Sequence, residues 1–265
     1  MSLRRNLKLT LAYDGSDYHG WQIQPGLATV QGTLAEVIGR TTGEKVLPQG
    51  SGRTDTGVHA LGQVATFQTD SPIPIENLQI VLNDRLPPSI RVLRIEHVPD
   101  DFHARHSARR KHYQYRIFRG PLVSPFLHRY VTHHPYPLDE ACMAEAARRF
   151  LGEHDFTSFA ASDPDRHERE SSDLSDDGGL LVKSSTNIRT IDESVVERRG
   201  EELFYSVCGN GFLHHMVRNI VGTLLIVGKG NLKPNEIQRI LDAKDRSAAG
   251  ATAPASGLYL VKVEY

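Results

Sequence analysis

Two periodicities alternate along this 265-residue chain, and their order limits what it can fold into more than any other feature. Leu7–Tyr13, Gln63–Thr69, Ile90–Val98 and His112–Phe118 alternate apolar and polar residues as strands do, and Ile188–Arg198, Glu202–Cys208 and Gly257–Tyr265 do the same. Stretches with the helical period lie between them: Thr29–Thr42, with Thr29 as a cap and Gly43 past its end, then Ile75–Arg85, Leu138–Leu151, Phe212–Val227 and Lys233–Ala243. The first half therefore reads β-α-β-α-β, and the second repeats the plan loosely, with a hairpin about the RGEE turn that begins at Arg199. Interspersed elements with hairpin-like pairs favour an α+β fold over a doubly wound parallel sheet. We expect two related sheet-and-helix subdomains, residues 1–104 and 105–265, with mainly antiparallel strands.

The composition, 39% hydrophobic, supplies a proper core. The start, MSLRRNLKLTLAYDG, has no continuous apolar run after its basic residues, and the longest apolar stretch, Ile220–Gly228, is too short to cross a bilayer. A cytoplasmic protein without a membrane partner is the expectation. Cys142 and Cys208 lie far apart in patterns that suit buried thiols, so both read as free core cysteines.

The net charge of -1 hides an uneven distribution. From Phe102 to Gly120 there are six Lys or Arg, three His and no acid, whereas Asp163–Asp177 carries seven acids against two arginines. Setting the acidic stretch aside leaves the remainder at +4. The surrounding Ser162–Gly179 lacks apolar periodicity and reads as a mobile acidic surface insertion, 162–179.

One stretch concentrates reactive groups: GSGRTDTGVHA, Gly50–Ala60. Gly, Ser, Thr and Asp furnish any tight turn, and a single Asp in a loop usually caps something. Arg53 and Asp55, however, stand two residues apart, which in extended backbone turns both side chains to one side. A cation beside it keeps a partly buried carboxylate ionised, and such a carboxylate is a good nucleophile or base. Zinc ligation by Asp55, His59 and other histidines needs spacings that are missing, since the chain has no HxxxH, HExxH or CxxC. The paired histidines at His133 and His214 are expected to turn neighbouring rings apart. No phosphate-binding loop, dinucleotide fingerprint or GxSxG elbow occurs either, so the expectation is a carboxylate with no metal and no cofactor.

Two further segments matter. In RRKHYQYRI, Arg109–Ile117, Tyr113 and Tyr115 share a strand face, where rings interleaved with cations suit stacking on bases; one of the two is expected to pack in the sheet and one to act. In NGFLHHMVRNIVG, Asn210–Gly222, the apolar stripe is core, and Arg218 departs from it near the helix start, facing either solvent or a cleft.

Together with LAYDGSDYHGWQ, TVQGTLAEVI, FTSF, NIRTI and the closing LYLVKVEY, these segments resemble the tRNA pseudouridine synthases of the TruA family across nearly the whole chain. The resemblance implies one extended sheet with a central active-site cleft. It implies that Asp55 is the catalytic aspartate, Tyr113 the ring stacked on the target uracil, and Arg218 the cation paired with Asp55. It also implies that Arg53 takes part in the site, and Arg109, Lys111 and His59 are expected to bind substrate. Ser51 and Thr56 stand where the family commonly has alanine, and the acidic segment before NIRTI is longer than usual.

The implied reaction breaks the C1′–N1 bond of uridine and rejoins the uracil through C5, with no redox change and no cofactor. Attack on C1′, attack on C6 and abstraction of a sugar proton by the carboxylate all remain open. Extruding the base costs a few kcal/mol, and stacking on a ring recovers roughly 1–3 kcal/mol of it. The segment Arg105–Arg119 would hold the tRNA backbone, weakening with salt. A homodimer acting on the anticodon stem-loop, at positions 38–40, completes the implied picture. Against it stand a silent RNA-binding protein with this fold, a metal-dependent hydrolase, and a relative acting on other RNA positions.

Overall fold

The computed structural model describes residues 4–161 and 186–265. The acidic insertion, 162–179, lies outside the described residues. Cα packing divides the chain into two compact units, the first Met1–Tyr136, Asp192–Asn210 and Pro254–Tyr265, the second Pro137–Ile191 and Gly211–Ala253. Both units are discontinuous, and the expected boundary at 104/105 falls inside the first.

The first unit is built on a sheet. Its strands are β1 (Arg5–Tyr13), β2 (Gln49–Gly50), β3 (His59–Thr69), β4 (Ile90–Val98), β5 (Arg110–Phe118), β6 (Thr132–His133), β9 (Glu202–Gly209), β10 (Leu258–Glu264) and most of β8 (Ile188–Arg199). The order is β4-β1-β3-β10-β5-β9-β8, with β2 added to β3 and β6 to β5. Pairing is antiparallel for β1 with β3 and β4, for β2 with β3, for β10 with β5, and for β5 with β9, whereas β10 on β3 and β6 on β5 run parallel. The mainly antiparallel α+β reading holds.

Local sequence explains the helices over this sheet. Thr29 caps α1 (Val30–Thr42) through its side chain, which accepts from Gly32 N, and Gly43 closes the helix in the left-handed conformation. The helix buries Val30, Leu34, Val37 and Ile38, the stripe read from the sequence. Helix α2 (Ile75–Arg85) turns Leu78 and Leu82 inward, and Asn83 ties it to β4 by a pair of 2.9 Å bonds with the backbone of Val92.

The second unit holds α3 (Glu140–Arg148), β7 (Gly152–Asp155), the first residues of β8, α4 (Met216–Gly228) and α5 (Ile237–Ala243). Asp139 caps α3 by accepting from Cys142 N at 2.8 Å. Phe150, Phe156 and Phe159 form a fully buried aromatic cluster. Helix α4 starts at Met216, four residues later than the periodicity suggests, because His215 takes a left-handed turn at φ 58. Both cysteines are free, but only Cys208 is buried; Cys142 is half-exposed on α3, where the amphipathic pattern turns outward. No helix of the described residues is long and apolar enough to cross a membrane.

Candidate active site

The GSGRTDTGVHA stretch is the loop that joins β2 to β3, and it is held at almost every step. Ser51 N donates to Val64 O at 2.7 Å, Trp21 N to Thr54 O at 3.0 Å, and Val58 N to Asp55 O at 3.1 Å. Two of its glycines answer needs of the protein itself. At Gly50 a Cβ would meet the Trp21 indole at 2.6 Å, and Gly57 has φ 78, a left-handed conformation closing the turn after Asp55. Arg53 and Asp55, both half-buried, project from this clamped segment, flanked by the buried Thr54.

Register brings Tyr113 to the same place. Tyr13 on β1 pairs with Ala60 on β3, Ala60 with Leu260 on β10, Leu260 with Tyr113 on β5, and Tyr113 with Val207 on β9. Paired residues share a sheet face, so Tyr13 and Tyr113 sit on one row, with the small Ala60 and Leu260 between them. Burial raises the Tyr113 phenol well above its ordinary range, and Tyr13 and the Asp55 carboxylate push the same way. An aromatic ring and a carboxylate thus lie within electrostatic reach inside one unit. Tyr115, two residues on, is fully buried and anchored, 2.5 Å from Thr132 Oγ1 and donating to Pro254 O at 2.7 Å.

Other candidates are placed differently. His59 is 2% exposed, with Nδ1 3.2 Å from both Gly15 N and Asp14 Oδ1 and Nε2 3.1 Å from Arg129 O. Its ring stacks on Tyr259 at 4.9 Å. Burial lowers its pKa, opposed in part by Asp14, so the neutral ring accepts from Gly15 N and donates to Arg129 O. A ring so occupied pins the start of β3 to Gly15 and Arg129. Lys111 Nζ donates to Ser51 O at 2.6 Å, at the head of the same loop.

The basic segment does not act as one surface. Arg116 makes a bidentate pair with Glu202 at 2.8 Å, and Arg119 donates to the carbonyl oxygens of His134 and Tyr136. Arg110 meets Asp192 at 3.1 Å. Arg105, Arg109 and Arg110 remain exposed. Charge counting along a sequence cannot separate cations that tie strands together from cations that face solvent.

In the second unit, Arg218 is half-buried on the first turn of α4, and its Nε donates to Ala253 O at 2.7 Å while Ala253 N donates to Arg218 O at 3.1 Å. The preceding His214 and His215 correct an expectation. Their rings lie 3.9 Å apart at 34°, side by side rather than divergent, because the positive φ of His215 removes the alternation that would separate them.

A family model described as tRNA pseudouridine synthase matches residues 10–107 and 179–265. Asp55 and Arg218 fall within the matched spans and Tyr113 between them. The chain is 52% identical over 262 residues to tRNA pseudouridine synthase A of Solibacter usitatus (strain Ellin6076), which covers 98% of this chain and 100% of the relative. It is 43% identical to tRNA pseudouridine synthase A of Brevibacillus brevis (strain 47 / JCM 6285 / NBRC 100599), covering 98% of this chain and 100% of that one. The protein of that name from Thermoanaerobacter sp. (strain X514) is 44% identical, again over 98% of this chain and 100% of its own. Matched by the family model in both halves and by relatives over their full length, the chain belongs to the tRNA pseudouridine synthase family and is an isomerase of it.

Proposed function

We propose that this chain converts uridine to pseudouridine in the anticodon stem-loop of tRNA, at positions 38–40, with Asp55 as the catalytic carboxylate. The observation that carries the reading is that the clamped loop bearing Asp55 and the strand row bearing the buried Tyr113 belong to one unit, with the Tyr113 phenol raised first by burial and then by Tyr13 and the Asp55 charge. A clamped loop offers the carboxylate to a ring that stacks on the extruded uracil, and the ring offsets part of the unstacking cost. Bond cleavage and rejoining on one nucleotide need no external reagent, in keeping with a site made of a carboxylate, an aromatic ring and cations. Arg53 leaves the same loop one residue before Thr54 and serves as a cation of the site. Arg218 takes the corresponding role on the strength of its sequence motif. Exposed Arg105 and Arg109 hold phosphates, and the working form is a homodimer in the cytoplasm.

The test is to incubate unmodified tRNA transcripts with the purified chain and map pseudouridine along them. Conversion confined to positions 38–40 supports the reading. Conversion elsewhere removes the site assignment, and none at all removes the activity. Sedimentation of the same sample decides between one chain and two.

A further inference from the structure

Beneath the Asp55 loop runs a chain of buried polar side chains that the proposed chemistry does not use. The Ser51 hydroxyl donates to Gln63 Oε1 at 2.7 Å, an atom that also accepts from Val64 N at 3.2 Å. Gln63 Nε2 donates to Gly52 O at 2.9 Å and to the Tyr13 hydroxyl oxygen at 3.4 Å. Tyr13 and Thr54 then meet hydroxyl to hydroxyl at 2.8 Å. The polarity of the chain follows from its members. The Gly52 carbonyl only accepts, so it faces the amide nitrogen of Gln63; that nitrogen donates to Tyr13, whose own proton goes to Thr54. Burial pushes the Tyr13 phenol up to about 12, so this proton stays in place at any working pH. All four side chains are buried, Ser51 and Gln63 completely. In such surroundings the loss of one partner strands another, and a satisfied network holds a single geometry.

Two end points of this network, Gly52 O and Thr54 Oγ1, flank Arg53, and the second immediately precedes Asp55. We infer that Tyr13 and Gln63 are positioning residues for the reaction, fixing the backbone from which Arg53 and Asp55 project toward Tyr113. The inference rests on the reading of Asp55 as the catalytic carboxylate. It also gives Ser51 a purpose at a position where the family commonly has alanine, since its hydroxyl holds the far side of the Gln63 amide.

Tyr13→Phe keeps the ring beside Trp21 and removes only the hydroxyl. Tritium release from tRNA labelled at uracil C5 should show kcat reduced by about tenfold or more, with KM for tRNA within about twofold, because a displaced carboxylate harms the reacting step rather than docking. Thr54→Val cuts the same link from the other side, so the double variant should lose no more than the worse single one. Should Tyr13→Phe fail to fold by circular dichroism, Thr54→Val alone carries the kcat expectation. Unchanged kcat, or losses that multiply in the double variant, overturns the inference. Asp55→Asn, run in parallel, separates the two claims. If it retains wild-type turnover, the reading of Asp55 fails; if it is inactive while Tyr13→Phe keeps full kcat, only the positioning inference fails.

Discussion

Lys111 Nζ donates to the Ser51 carbonyl oxygen at 2.6 Å, which joins β5 to the head of the loop that carries Asp55. An ammonium so placed orders the loop, whereas one on tRNA phosphate would contribute to counterion release. The two roles have different signatures. Lys111→Met should lower kcat and leave the salt dependence of tRNA binding as it is. Arg109→Gln, at an exposed position, should reduce the slope of log K against log salt by about one and spare kcat. Binding isotherms at several salt concentrations check both, and a reduced slope in Lys111→Met would return that residue to the phosphate backbone.

His59 should make stability depend on acid. Its pKa in the folded chain is lowered from 6.5, first by burial, with Asp14 opposing. The groups facing it are Asp14 beside its Nδ1, Arg129 and Tyr130 on one side, and the stacked Tyr259. With the folded value depressed, the unfolded chain binds the proton more readily, so stability present above the unfolded pKa is lost as pH falls through that value toward the folded one. Thermal unfolding of the wild type and His59→Gln between about pH 7.5 and about pH 5.5 reads the effect as a difference. The advantage of the wild type should shrink on acidification; a constant or growing advantage would contradict it.

Tyr113 and Tyr115 should separate chemistry from stability. Tyr115→Phe removes a buried hydroxyl that bonds Pro254 O and Thr132, and should cost about 1–3 kcal/mol in chemical denaturation with kcat preserved. Tyr113→Phe retains the ring and should still bind tRNA, while Tyr113→Ala should lose turnover. If Tyr113→Phe fails to bind, the hydroxyl rather than the ring carries the contact.

Gly222 should tolerate no side chain. A Cβ there would lie 1.7 Å from the Ala251 carbonyl oxygen, so the backbone after Gly250 runs directly against α4. That close approach brings Ala253 into position to hold Arg218. Gly222→Ala must push the segment away, at a cost of about 3 kcal/mol measured by urea unfolding. A loss under about 0.5 kcal/mol would show that the segment yields freely.

Much of the fold was legible because its signals are local. Thr29 and Gly43 mark the ends of α1, and α2 and β4 keep the limits that periodicity assigns them. What escaped depends on distant partners. β6 has two residues and β7 four, too short to display a period, and the parallel pairing of β10 with β3 joins segments about 200 residues apart in sequence. The start of α4 was misplaced because a left-handed His215 is a rare choice with no composition signal. The site followed the same division. Asp55 and Tyr113 stand out as residue types in their motifs, but the loop-holding tasks of His59 and Lys111 depend on backbone oxygens, Arg129 O and Ser51 O, that only the folded sheet brings near. Tyr13 and Gln63 fall within the alternation of β1 and β3, which hold other polar residues as well, so residue type gave no sign of their hydrogen-bonded chain.

The proposed function turns on the Asp55 carboxylate performing the isomerisation. Release of tritium from tRNA labelled at uracil C5 measures it directly, with the wild type compared against Asp55→Asn, which keeps size and hydrogen-bonding capacity but removes the charge. The wild type should release tritium, and the Asp55→Asn variant should bind tRNA yet release none above background. Wild-type release by Asp55→Asn would contradict that role of Asp55.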